Sequence, residues 1–355
     1  MKTLVLPIAG QSTRFQDVRP KFLLIHPNGN LMITEAIRGL DLSQFDKILI
    51  IGLTEHQNKY NFRTAIIDEF THELYIPKEK IIILEIQPTN NQPTTIYKGL
   101  QLANITEGSI LIKDCDNYFE LNSKYENNFI AVSDLHKFKE INASNKSYIN
   151  IGKNNTITNI VEKEVISNLF CCGGYYFDDV IQFKHYYEEL KEYSNLYISH
   201  IIYKMILDKH LFMVEETNNY IDWGTLEDWL NYTSKFKTIF VDLDGILVYN
   251  SSRHIAPTWG QSNPIQENID IINKLYDSGF AYIVITTSRL ESNKELTLLQ
   301  IQNYGIRYNK LIMGLPHCQR ILINDYSKTN PYPSAVSINL ERNNNILSNL
   351  LKEIK

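Results

Sequence analysis

Four short, almost wholly apolar runs recur in the first third of the chain: TLVLPIA at 3–9, KILIIGL at 47–53, IIILEI at 81–86 and SILIKD at 109–114. A strand with one wet face alternates apolar with polar residues, whereas a run without that alternation is buried on both faces. A sheet covered by helices on each side offers such burial, and the segments between the runs are long enough for helices. The runs therefore predict a doubly wound α/β domain. At 148–161, YINIGKNNTITNIV, alternation around Asn154 and Asn155 predicts a β-hairpin instead. The stretch YYEELKEYSNLYISHIIYKMILDKH, 186–210, has helical spacing.

The strand count then restarts. TIFVDL at 238–243, AYIVITT at 281–287 and RILIND at 320–325 read as three further strands with room for helices between them. A chain of 355 residues, 43% hydrophobic, is long enough for two cores. The pattern predicts two doubly wound α/β domains, residues 1–235 and 236–355, with no linker rich in Gly, Ser or Pro between them.

A formal net charge of -5 with both signs interspersed leaves no basic stripe, which argues against nucleic acid or an anionic membrane surface as a partner. Phosphate binding, where it occurs, must be local. The opening MKTLVLPIAG reads as a strand rather than a signal peptide, and no run reaches the roughly 18 apolar residues of a membrane span. Cys115, Cys171, Cys172 and Cys318 lack the paired spacing of a zinc site, and adjacent Cys171 and Cys172 are poorly placed for a structural disulfide. A reducing, cytoplasmic setting is expected.

The first phosphate-handling candidate is LPIAGQSTRFQDVRPKFLL, 6–24. Gly10, Gln11, Ser12 and Thr13 follow the first strand, then come Arg14 and the pair Pro20 and Lys21. Such a turn can aim backbone N–H groups at phosphate oxygens, and two cations can offset charge gathering at phosphorus. A surface loop with solvated cations is the plain alternative. The later segments QPTTIYKG (92–99), IKDCDNYF (112–119), VEKE (161–164), CCGGYYF (171–177) and YIDWGTLEDW (220–229) follow in order. Together with the opening loop they resemble the sugar nucleotidyltransferase family over Met1 to Tyr232.

That resemblance implies a Rossmann-like mixed sheet and a defined reaction. A nucleoside triphosphate (CTP, UTP, dTTP or GTP) would be joined to a sugar or polyol phosphate, with release of pyrophosphate. It assigns Arg14 and Lys21 to the triphosphate and its leaving group, and Gly10, Gln11, Ser12, Thr13, Gln92 and Thr95 to the nucleotide. Glu162, Lys163 and Gly173 fall to the sugar phosphate, and Asp116 and Asp222 to Mg2+, with a share for neighbouring Asp114 left open. Hard carboxylate oxygens suit that ion.

The second candidate is FVDLDGILVYN, 240–250, where Asp242 and Asp244 stand one residue apart at the end of a strand. Ligands bind at the carboxyl ends of strands in α/β folds. This motif resembles the haloacid dehalogenase superfamily of phosphohydrolases over Lys237 to Lys355. The resemblance implies Asp242 as nucleophile, Asp244 as acid and base, Thr287 on the transferring phosphoryl group, and Mg2+ held by Asp242, Asp244 and Asp325. A cationic partner is also implied: Lys310, with Lys328 second, because Leu315 stands where a lysine would be natural. Asn324 occupies a place where many relatives carry an acid. The short spacing from Asp244 to Thr287 and on to Asp325 leaves no room for a large cap, so the domain is read as small and uncapped. The expected whole is a bifunctional enzyme making an activated sugar or polyol for surface polysaccharide, compatible with a homo-oligomer. The rival is an active transferase fused to a noncatalytic binding or assembly module.

Overall fold

The computed structural model describes residues 1–10, 19–122, 124–138, 142–325 and 335–352. Gln11, Ser12, Thr13, Arg14 and Lys328, all singled out above, lie outside the described residues. Internal contacts divide the chain into two units, Met1–Leu230 and Asn231–Lys355.

In the first unit the four apolar runs become strands β1 (Lys2–Pro7), β2 (Lys47–Leu53), β3 (Ile81–Ile86) and β4 (Ser109–Lys113). They lie parallel in the order β3-β2-β1-β4. Burial on both faces follows the sequence pattern: Leu4, Val5 and Leu6 are wholly buried, and Ile48 to Ile51 almost so. Six more strands follow: β5 (Asn117–Glu120), β6 (Phe129–Asp134), β7 (Ser147–Ile151), β8 (Ile157–Glu162), β9 (Leu169–Phe177) and β10 (Met213–Glu216). β9 runs antiparallel between β4 and β6, and β10 lies parallel on the far side of β6, giving a mixed sheet. The predicted hairpin is β7 with β8, and Asn154 and Asn155 carry the left-handed φ values of 57° and 55° that its turn needs. β11 (Asn218–Asp222) pairs with β5 in a separate two-stranded ribbon.

Helices in this unit are α1 (Met32–Ile37), α2 (Thr54–Tyr60), α3 (Phe62–His72), α4 (Gln92–Leu102), α5 (Val180–Leu190) and α6 (Ile198–Leu207), and α7 (Leu226–Thr233) spans the division. The stretch 186–210 thus contains the end of α5 and the whole of α6. Ile96 and Leu100 of α4, and Ile201 and Ile202 of α6, enter a core with Val5, Ile51, Ile110, Ile112 and Phe177.

The second unit holds a parallel sheet of β12 (Lys237–Asp242), β13 (Ala281–Thr286) and β14 (Lys310–Ile312), in that order. Helices α8 (Gln266–Asp277), α9 (Lys294–Asn303) and α10 (Leu347–Lys352) complete the unit. Ile269, Ile272, Ile301 and Leu347 from these helices pack with Val241, Ile283 and Ile285. RILIND, expected as a strand, is not one: residues 320–325 are irregular, with Ile321 78% and Ile323 90% exposed. An apolar run is a strand only where a neighbour accepts its ladder, and this one has no ladder partner among the described residues. The third strand is the less apolar segment at Lys310.

Ile112 is wholly buried just before the acidic end of β4, whereas Leu102, at the end of α4, is 63% exposed. Ile112→Ala should cost about 2–5 kcal/mol in urea unfolding and Leu102→Ala less than about 0.5 kcal/mol. Equal costs would contradict the placement of this core.

Candidate active site

β4 delivers Lys113, Asp114, Cys115 and Asp116 in succession to the carboxyl edge of the parallel sheet, where α/β folds present ligand-binding groups. β5 begins at once and pairs with β11, setting Asn117 opposite Asp222. The Trp223 N–H donates to the Asp116 carbonyl at 2.9 Å. Two carboxylates 106 positions apart, 222 minus 116, are thereby held side by side. Gly224 lies between them: a Cβ there would stand 3.0 Å from Asp222 Oδ1 and 3.8 Å from Asp116 Oδ2.

Each carboxylate faces a lysine. Lys21 Nζ is 2.9 Å from Asp116 Oδ2 and donates to the Gly224 carbonyl at 2.7 Å. Lys146, immediately before β7, pairs with Asp222 Oδ2 and donates to the Tyr220 hydroxyl at 2.7 Å. Both lysine side chains are only 13% exposed. The carboxylates border a cavity of about 470 Å3 that is also lined by Gln92, Asp114, Glu162 and Lys163.

Gln92 is the first residue of α4, which is capped by Asn91 accepting from the Thr94 N–H at 2.9 Å. Its Nε2 donates to Asp114 Oδ1 at 2.6 Å. Burial and the neighbouring Asp116 charge push the Asp114 carboxyl up to about 6. Burial pulls Lys113 down to about 8; its ammonium donates to the carbonyls of Asp114 and Asn117 and sits 4.4 Å above the Phe119 ring. Across the cavity, Glu162 Oε2 accepts from Ser199 at 2.7 Å and from Ser147, while Lys163 Nζ donates to Tyr197 at 2.6 Å. Gly173 needs to be glycine twice over: its φ is 79°, and a Cβ would stand 2.5 Å from Asp114 Oδ2.

The predicted set is thus brought together in large part: Lys21, Gln92, Asp116, Glu162, Lys163, Gly173 and Asp222 lie on or against one cavity. Thr95 does not line it. Its buried hydroxyl bonds Thr89 at 2.5 Å and holds the loop before α4. Gly10 is exposed at the end of the described part of its loop. Sequence reading missed Lys146, Ser147, Ser199 and Tyr197, which sit in no motif; only the hairpin register and the start of α6 place them at the cavity.

The second unit arranges its acids differently. Asp242 ends β12, and Arg320 Nη2 approaches it at 3.3 Å; burial pushes its carboxyl above the usual range and Arg320 opposes this. Asp244 accepts from Arg289 Nε and Nη2, both at 2.8 Å, from Ser251 at 2.6 Å and from Thr287 at 3.3 Å. Arg289 is wholly buried and its Nη1 donates to Gln300 at 2.8 Å. Lys310 stands opposite Val284, two positions before the level of Asp242 and Thr286; among the described residues Arg320 is ion-paired with Asp242 and Arg342 also acts on it. Asp325 lies on the exposed irregular segment rather than at a strand end. Among the described residues, no group of three or more His, Cys, Asp or Glu is poised to hold a metal. Asp242, Asp244 and Asp325 are not gathered into one ligand set among the described residues: Asp244 is engaged by Arg289, and Asp325 stands on no strand.

The Asp114 value of about 6, against an ordinary 3.8, fixes the sign of a pH effect. The folded state holds this proton more tightly than the unfolded state, so its contribution to stability is present below the ordinary value and lost as pH rises through the folded one. Urea unfolding at about pH 4 and about pH 7 should show the wild type losing stability relative to Asp114→Asn. A difference independent of pH would place the proton elsewhere.

No family description and no curated protein matches the sequence. Solved structures do match. A nucleoside-diphosphate-sugar pyrophosphorylase from Vibrio cholerae RC9 is 20% identical with a TM-score of 0.54, over 64% of this chain and 98% of that one. A UDP-glucose pyrophosphorylase complexed with UDP-glucose is 16% identical with a TM-score of 0.50, over 65% of this chain and 96% of that one. This likeness establishes a fold: over about two thirds of its length the chain shares the mixed α/β architecture of these two pyrophosphorylase structures.

Proposed function

We propose that the first unit catalyses transfer of a nucleotidyl group from CTP, UTP, dTTP or GTP to a sugar or polyol phosphate, with release of pyrophosphate. The observation that carries this reading is the pair Asp116 and Asp222, side by side and each faced by a lysine, at the mouth of a cavity with Glu162. The names of the structural neighbours support the same chemistry.

The obstacle in such a reaction is repulsion between an anionic nucleophile and an anionic α-phosphate. Two hard carboxylates beside one cavity suit Mg2+, which is held by one or two carboxylates and keeps its other positions for water and phosphate oxygens. When bound there, Mg2+ supplies charge neutralisation across the reacting phosphates. Lys21, fixed by Asp116 and the Gly224 carbonyl, adds positive charge for the triphosphate. Glu162, with Oε2 held by two serine hydroxyls, presents its remaining acceptor capacity to substrate hydroxyls, and Lys163 supplies a cation for the acceptor phosphate. The product would be an activated sugar or polyol of the kind surface polysaccharides are built from.

In the second unit, hydrolysis would require Asp244 to give and take a proton. Its oxygens accept from four donor groups, two of them on a buried guanidinium. That geometry favours the noncatalytic module over the phosphatase that the Asp242 and Asp244 motif suggests.

Pyrophosphate release, measured across the four triphosphates and a panel of sugar and polyol phosphates, tests the first reading. Asp222→Asn and Lys21→Ala should each reduce it by at least about 100-fold with the fold intact. Full activity in folded Asp222→Asn would end the proposal. For the second unit, the same panel should yield no inorganic phosphate. Release by the wild type that disappears in Asp242→Asn would restore the phosphatase.

A further inference from the structure

Lys146 belongs to no motif, yet it is the most completely enclosed cation facing the carboxylate pair from the acceptor side. Its backbone is fixed, because its carbonyl accepts the Lys163 N–H at 2.9 Å across the β7–β8 hairpin. The next rung pairs Ser147 with Glu162. Its ammonium reaches the other way, to Asp222 Oδ2 and the Tyr220 hydroxyl, and lies 5.3 Å from the Tyr220 ring centre. The side chain therefore joins the metal half of the cavity to its sugar-phosphate half.

We infer that Lys146 is an exchangeable counter-ion, which holds Asp222 until a divalent cation binds there and then turns to the acceptor phosphate. This rests on the transferase reading of the first unit. The argument is charge conservation in a partly enclosed space. Lys21 with Asp116 and Lys146 with Asp222 form two ion pairs of zero net charge. A divalent cation seated on the two carboxylates adds two positive charges beside two ammonium groups, and Lys146 already engages one oxygen of Asp222. One of them must give way. Asp222 Oδ1 is held separately by the Gly224 N–H at 3.0 Å, so the carboxylate keeps its place when Oδ2 changes partner. The Tyr220 hydroxyl keeps Lys146 at the cavity wall. The compensating anion is then the acceptor phosphate, beside Lys163. Metal and acceptor binding become coupled through one side chain, and such coupling is reciprocal.

Mn2+ binding to the full-length protein, read by electron paramagnetic resonance without turnover, tests this. Lys146→Met should bind Mn2+ between about 5-fold and about 100-fold more tightly than the wild type, the usual span of a coupling between sites. Lys146→Arg should resemble the wild type, and Asp222→Asn should bind more weakly. Inorganic phosphate should tighten Mn2+ in the wild type and leave it unchanged in Lys146→Met. Equal Mn2+ affinity in wild type and Lys146→Met, or equal tightening by phosphate in both, overturns the role of Lys146 while leaving the transferase reading standing. Equal affinity in wild type and Asp222→Asn overturns the cation site itself, and this inference with it.

Discussion

The first unit is organised around the approach of two carboxylates that repel one another. Asp116 and Asp222 meet because β5 and β11 pair immediately beside them, with the Asp116 carbonyl tied to the Trp223 N–H. Backbone hydrogen bonds thus hold together side chains that electrostatics alone would separate. The compensation comes from Lys21, in the segment after β1, and Lys146, just before β7. A partly enclosed carboxylate without such a partner would take up a proton instead. Asp114 shows the tendency: burial and the Asp116 charge push it up to about 6, against the opposing pull of Gln92, Lys113 and Lys146.

Much of this arrangement was legible in the sequence, and the reason is local. Strands buried on both faces must be apolar throughout, so β1 to β4 announce themselves, and acids placed directly after such a strand lie at its carboxyl edge. Asp116 stands just past such a strand, whereas Asp222, Glu162 and Lys163 were singled out only through the resemblance to a family, and all four lie on one cavity. Lys146 and Ser199 were not legible, because register and helix packing place them and neither leaves a spacing signal in one sequence. Thr95 sits in the same motif as Gln92, but in the first turn of α4 its hydroxyl bonds Thr89, and it does not line the cavity.

The second unit shows where a motif and its surroundings part company. The residues of FVDLDGILVYN place Asp242 and Asp244 as the pattern demands, at the edge of a parallel sheet. What the motif could not reveal is Arg289, two residues past Thr287, whose buried guanidinium is bidentate on Asp244. Removing either partner would leave an unpaired buried charge, so the pair is a structural commitment. The misread RILIND segment has a plain origin. Apolar composition proposes a strand, but only pairing makes one, and the sheet ends with β14 among the described residues.

The hairpin β7–β8 links these themes to specificity. Glu162 faces Ser147 across it, Lys163 bonds to the backbone of Lys146, and Glu162 is gripped from the other side by Ser199 at the start of α6. Side chains on a strand alternate between faces, so slipping this pairing by one residue would turn Glu162 from the cavity and bring its neighbours to the wrong side. The register is anchored at the turn by left-handed Asn154 and Asn155, and where the hairpin joins the sheet by the wholly buried Tyr148 opposite Phe170. A surface turn and an aromatic contact therefore help fix which side chains the hairpin turns toward the cavity. Turn residues that never touch the cavity can consequently alter its lining.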